Sequence, residues 1–239
     1  MLGFYLLGKI RFKYDSEVKH VGVGRLAMAI AVFSFVVYLI PGMWGAPLKA
    51  ISGYLPPRTT QDFVIGDYAV SVDSGRIAGA EEGYEKRKYS DFLRLPHGLT
   101  GYFDLQEGME ASRKEGKPMF IDFTGHGCVN CREMEERVWS DPEVLSLLNN
   151  EFVIVALYSD DKKNVPESDW LTTPQGKTLK GLGKINSYIA NQRYGVSAQP
   201  AYIIADNEGN ALLPTRGYNL NIQAYVDFLR AGIEAYKTR

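Results

Sequence analysis

Residues 120–136 read "FIDFTGHGCVNCREMEE", and they hold Cys128 and Cys131, the two cysteines of the 239-residue chain. An apolar run with one aspartate precedes the pair, and a charged stretch of helical character follows it. Two cysteines cannot build a disulfide framework. At C-x-x-C spacing they form either a redox pair or half of a metal site. A redox pair needs one thiol that ionises easily and a second within reach to resolve the mixed disulfide. A helix that starts at Cys128 supplies both. Its unpaired N–H groups and dipole stabilise a thiolate at the first cysteine, and Cys131 lies one turn deeper. Cys128 is therefore the expected nucleophile and Cys131 the resolving thiol. Zinc requires four ligands, and the histidines on offer are His20, His97 and His126. Haem attachment would require histidine at 132, where the chain has Arg132. A structural disulfide is the remaining alternative. No metal is expected.

The surrounding pattern is that of an α/β domain from about residue 101 to 239. Asp104 and Glu107 have the spacing of a capping box. "KPMFIDFT" is a short apolar run suited to a buried strand, as are Phe152–Tyr158 and Pro200–Ala205. Ser140 is the expected cap of a helix whose first turn holds Pro142 and Glu143. "ALLP" after the turn "DNEGN" reads as the return strand of a hairpin. Ile222, Tyr225, Val226, Leu229, Ile233 and Tyr236 mark one face of a closing helix. The stretch 159–195 is too long for a plain connection and reads as an insertion, with a helix near Ile185–Tyr194 and a partner-docking role.

Residues 26–48, "LAMAIAVFSFVVYLIPGMWGAPL", carry no charge. They suffice to cross a hydrocarbon layer of roughly 30 Å, with a break expected where Pro41, Gly42, Gly45 and Pro47 crowd the far end. Lys9, Arg11, Lys13, Lys19 and Arg25 precede the span, whereas Lys49 and Arg58 alone follow it as far as residue 68. The basic side stays in the cytoplasm, which places residues 1–25 inside and the bulk of the chain outside. "MLGFYLLGKIRF" is too short to span. It reads as an interfacial anchor or as the last turns of a preceding membrane helix. Residues 49–100 look like a linker with little core. A net charge of -1 argues against a nucleic-acid partner.

With "FIDFTGHGCVNCREME", "SDPEV" and "GVSAQPAYII" in view, residues 101–239 resemble the thioredoxin superfamily. More narrowly they resemble the C-terminal periplasmic domain of the DsbD family of thiol:disulfide interchange proteins, with 26–48 in place of that family's last membrane helix. The resemblance implies a central mixed sheet flanked by helices. It also implies a thiol:disulfide oxidoreductase of the bacterial inner membrane whose C-terminal domain faces the periplasm. Such a domain takes electrons from a transmembrane donor domain, in the same or a separate chain, and passes them to periplasmic disulfide proteins without an organic cofactor. Asp122 matches the buried acid that exchanges a proton with the inner cysteine, and Glu135 a second acid near the site. Pro200 matches the cis-proline beside the pair and exposes the Gln199 backbone to an incoming chain. Gly127 stands where tryptophan is usual and opens the lip of the site. His126, two before Cys128, favours a thiolate when protonated. The absence of histidine between the cysteines favours a reductant over a strong oxidant. An oxidase or isomerase of the same fold, or a binding module with inert cysteines, are the competing readings.

Overall fold

The computed structural model describes residues 1–44, 48, 51 and 87–239. Of these, 1–44 and 48 belong to one compact unit, and 51 and 87–239 to a second.

In the first unit a short helix, α1 (Leu2–Leu6), packs beside a longer one, α2 (Val23–Leu39). Gly3 makes the close approach: a methyl group there would lie 2.6 Å from the Phe33 ring, and Phe4 meets the same ring edge-on. Arg25 caps α1 by donating from Nε to the Leu6 carbonyl and from Nη2 to that of Tyr5. The helical stretch Val23–Met43 is long and apolar enough to cross a membrane, and side chains along it such as Val23, Met28, Ile30 and Val37 are exposed. It begins three residues earlier than the charge-free run and takes Arg25 into its first turn. A tight 3₁₀ turn, Ile40–Trp44, ends it where Pro41 removes a backbone donor. The far end of the expected span (45–47) and residues 49, 50 and 52–86 of the expected linker lie outside the described residues.

The second unit is built on a mixed sheet. β1 (Met119–Thr124) is central, pairing in parallel with β2 (Val153–Tyr158) and antiparallel with β5 (Ala201–Ala205). All residues of the three strands are buried, which is why their sequences read as continuous apolar runs. Side chains alternate across the sheet. Met119, Ile121 and Phe123 face one layer with Leu105 and Met109 of α3 (Leu105–Glu115). Phe120 faces the other with Trp139, Leu148, Tyr202, Tyr225 and Leu229. The helices on that side are α4 (Val129–Met134), α5 (Pro142–Glu151) and α7 (Ile222–Lys237). α4 runs on into a wide π-helical turn, Glu135–Trp139. α7 lies so close to β5 that a methyl group on Gly232 would sit 2.3 Å from Ile204 Cδ1. Gly232→Ala is therefore expected to lower stability by about 1–2 kcal/mol through overpacking, read as a lower urea midpoint with an unchanged slope.

Three local expectations are corrected. Asp141, not Ser140, caps α5, accepting from the Glu143 and Val144 N–H groups. Ser140 turns back to the Glu136 carbonyl. The "ALLP" segment forms no strand and meets β5 through a single bridge, Ala205 to Ala211, with a second bridge from Tyr202 to Arg216 just beyond it; Pro214 cannot donate to a ladder. Residues 87–100 do contribute core: Leu93, Leu95 and Leu99 are buried among Phe103, Trp139 and Tyr158. The insertion carries a small hairpin, β3 (Leu171–Thr172) with β4 (Thr178–Leu179), and α6 (Leu182–Tyr194). α6 starts three residues before the stretch read from sequence. Gly183 permits it, because a side chain there would strike the Asp161 backbone at 2.5 Å.

Candidate active site

β1 ends at Thr124, and the chain turns through Gly125, His126 and Gly127 to reach Cys128 at the start of α4. Cys128 is the N-cap residue, and its Sγ accepts from the Cys131 N–H at 3.1 Å. A disulfide joins Cys128 to Cys131, with the Cα atoms 5.2 Å apart. Cys128 is half-buried and Cys131 is 1 % exposed. The two sulfurs thus occupy unequal positions, one at the lip and one inside.

The strand before the pair and the helix that carries it bring together two acids and an arginine. Asp122 lies on the Phe120 face of β1, and its Oδ1 has no hydrogen-bond partner among the described residues. Burial, then the Glu135 charge, raise its pKa well above the ordinary aspartate value, against the pull of Arg132. Glu135 opens the π-helical turn and is 6 % exposed. Burial pushes its pKa up to about 7, although Arg132 Nη1 stands 2.7 Å from Oε2. Arg132 is itself buried, and its Nη2 reaches Thr124 Oγ1 and the Gly125 carbonyl, each at 3.4 Å. The wide turn keeps Glu135, Val138 and Trp139 all facing inward. Burial also holds the Tyr158 phenol up at about 12, and its hydroxyl donates to the Arg94 carbonyl.

The loop before Cys128 is fixed by a residue that the sequence did not single out. Asp160 accepts from the His126 N–H at 2.7 Å and the Gly127 N–H at 2.8 Å. The neighbouring Asp161 lies 2.8 Å from His126 Nε2, whose ring also rests on Tyr158. His126 thus spends its ring on the insertion. Gly127 is exposed at the lip. The Gln199–Pro200 bond is cis; Pro200 is buried and Gln199 half-buried. Gln199 Oε1 and Asp160 Oδ2 crowd Gly125 from two sides, at 2.5 and 2.8 Å from where a methyl group would be. Gly125 therefore joins the Gln199 loop to the cysteine loop. His97, in the stretch read as linker, sits 2.8 Å from the Glu135 carbonyl oxygen through Nε2.

Sequence reasoning passed over Arg132, Asp160 and His97. Arg132 had a signal available, since it falls one residue after the buried cysteine and three before Glu135, on the same face of a helix. Asp160 and His97 lie 33 and 38 residues from their partners and leave no local trace.

The chain can be set against known proteins on this geometry. The family model of the thioredoxin-like domain matches residues 105–233. No curated protein matches the chain in sequence. Among solved structures, the DsbH oxidoreductase is 20 % identical, with 64 % of this chain and 95 % of that one covered and a TM-score of 0.44. The oxidised C-terminal domain of Neisseria meningitidis DsbD is 16 % identical, with 56 % and 99 % covered and a TM-score of 0.39. A thioredoxin from Thermus thermophilus is 20 % identical, with 54 % and 84 % covered and a TM-score of 0.35. The family model covers more than half of the chain, takes in both cysteines, Asp122, Glu135 and the cis-proline, and on that match the chain belongs to the thioredoxin-like domain family.

Proposed function

We propose that this thiol:disulfide oxidoreductase is a membrane-anchored reductant. It takes electrons from a transmembrane donor and passes them to disulfide-containing proteins of the periplasm. The observation that carries the reading is the unequal pair: Cys128 half-buried at a helix start and Cys131 buried inside the same helix, joined by a disulfide. In the reduced form the Cys128 thiolate attacks one sulfur of a substrate disulfide. A Cys128–substrate bond forms and one substrate thiolate leaves. The Cys131 thiol gives its proton to the Asp122 carboxylate, and the resulting thiolate attacks Cys128 Sγ. The second substrate thiolate leaves, and the Cys128–Cys131 disulfide seen here is the product. Two electrons have moved to the substrate, and a donor dithiol must restore them by the reverse exchange. The dithiol and disulfide are themselves the redox group, with no organic cofactor.

Three further features support this reading. The burial of Cys131 opposes negative charge on that sulfur, which favours the protonated thiol there and with it the reduced pair. The bend at Gln199, just before the cis Pro200 and the start of β5, is the segment that would offer backbone groups to an incoming chain. The apolar stretch Val23–Met43 supplies an anchor whose basic flank fixes the second unit on the outer side. Equilibration with a thiol buffer should give a reduction potential near the roughly -270 mV of thioredoxin. A value toward the roughly -120 mV of DsbA would reverse the assigned direction. Cys131→Ser should accumulate mixed disulfides on Cys128 in the cell envelope. Recovery of a membrane donor and a folded periplasmic acceptor is the expected outcome, whereas newly secreted unfolded chains would mark an oxidase or isomerase.

A further inference from the structure

The segment that follows β2 encloses an open groove of about 700 Å³ between the β3–β4 hairpin and the start of α6. Its inner end is shared with the candidate active site. Asp160 and Asp161 line the groove, and the same two carboxylates hold the loop that presents Cys128. Asp161 is buried and also accepts from the Lys163 N–H at 2.7 Å, while Asp160 is exposed with each of its oxygens accepting a backbone N–H of the cysteine loop. Toward solvent the groove is lined by Lys162, Lys177 and Lys184, all exposed. None of the three meets a carboxylate among the described residues. The lysines just outside the lining differ. Lys163 lies over the Phe92 ring at 3.4 Å and Lys180 over Trp170 at 4.0 Å. The groove therefore offers three ammonium groups without internal partners, in a chain whose net charge is -1.

We infer that this groove docks an acidic stretch of the protein that exchanges disulfides with Cys128. The inference rests on the oxidoreductase reading and adds the chemistry of the partner. Carboxylates on such a stretch would meet the three ammonium groups with no competing acid to displace. They would do so beside the loop fixed by Asp160, so that docking and attack share one rigid element. Complementary charge acts mainly on encounter and register, and salt at about 0.1 M screens it beyond about 10 Å. The preference is accordingly for acid near the partner's cysteines, and the partner's overall charge matters less.

The test uses the reduced full-length chain in a zwitterionic detergent and three synthetic peptides. Each peptide carries one internal disulfide, flanked by four Glu, four Gln or four Lys residues. Each exchange rate is divided by the same peptide's rate with dithiothreitol, which removes the effect of flanking charge on the disulfide itself. At low salt the Glu peptide should exceed the Gln peptide by about tenfold, and the Lys peptide should be slowest. The advantage should collapse in 0.5 M NaCl. The combined Lys162→Glu, Lys177→Glu and Lys184→Glu variant should reverse the order, while its own disulfide is still reduced by dithiothreitol at the unaltered rate. Equal normalised rates for the Glu and Gln peptides, or an order unchanged in the triple variant, would overturn the docking inference. No exchange with any peptide, while dithiothreitol still reduces the disulfide, would overturn the oxidoreductase reading and the docking inference with it.

Discussion

The oxidised protein is expected to lose about 3 kcal/mol of folding stability as pH rises from 4.5 to 7. Glu135 is the reason. Its carboxyl is raised from 4.5 to about 7 in the folded state, and each pH unit of such a displacement is worth about 1.4 kcal/mol. The sign follows from proton counts. Between 4.5 and 7 the unfolded chain has released the Glu135 proton while the folded chain still holds it, so rising pH favours unfolding. The contribution is complete below 4.5 and gone above 7. Asp122, also raised, acts in the same direction. Carboxylates that the fold holds low, namely Glu133, Asp169 and Asp206, act in the opposite sense but lose their contributions at more acid pH. Urea midpoints measured across pH 4.5–8 test this: Glu135→Gln should remove about 3 kcal/mol of the fall between pH 4.5 and 7, leaving the share that Asp122 contributes. Arg132→Met should steepen it above pH 7, by about 1.4 kcal/mol per unit, because the buried acid then has to take up a proton. A wild-type profile that is flat, or that rises with pH, would remove the buried ion pair from the account of this site.

How far the sequence carried is clearest at β1 and α4. Six consecutive buried residues, an aspartate inside them, and two cysteines one turn apart are local signals, and each keeps its meaning without the rest of the chain. The closing helix followed from the same kind of evidence, whereas the mixed sheet and the cis-proline were implied by the family resemblance and not by any local signal. What escaped depended on partners far away in sequence. Leu93, Leu95 and Leu99 are apolar residues scattered among charges and proline, so no periodic face showed, and only the packed domain reveals that they fill one end of the core. Ser140 and Asp141 are both good caps, and the choice fell to Asp141 because Pro142 opens the helix directly after it. Arg132 resembled an ordinary cation on a helix of charged residues. Its burial follows from the π-helical turn, which swings Glu135 inward to meet it, and no propensity rule announces such a turn.

Replacing Asp122 with Asn is expected to slow release of the mixed disulfide on Cys128 by about 10²-fold near neutral pH. Release requires Cys131 to lose its proton, and at 1 % exposure this thiol is cut off from bulk water. A buried base must take that proton, and proton transfer by a positioned side chain contributes roughly 10²–10⁴ to a rate. Asp122 is the candidate because its Oδ1 makes no hydrogen bond among the described residues and is open to an incoming proton. Glu135 by contrast is tied to Arg132. The pH dependence separates a base from a structural prop. Burial raises the Asp122 pKa, so its carboxylate fraction, and with it the release rate, should climb with pH in the wild type. In Asp122→Asn that climb should vanish until hydroxide or the thiol's own ionisation takes over, leaving a flat, slow profile. The measurement is single-turnover release of a fluorescent peptide from the Cys128 mixed disulfide, with thermal stability followed in parallel. If Asp122→Asn released the peptide at the wild-type rate, or kept the same climb with pH, the proton would be leaving Cys131 by another route, and the buried aspartate would have no part in the exchange.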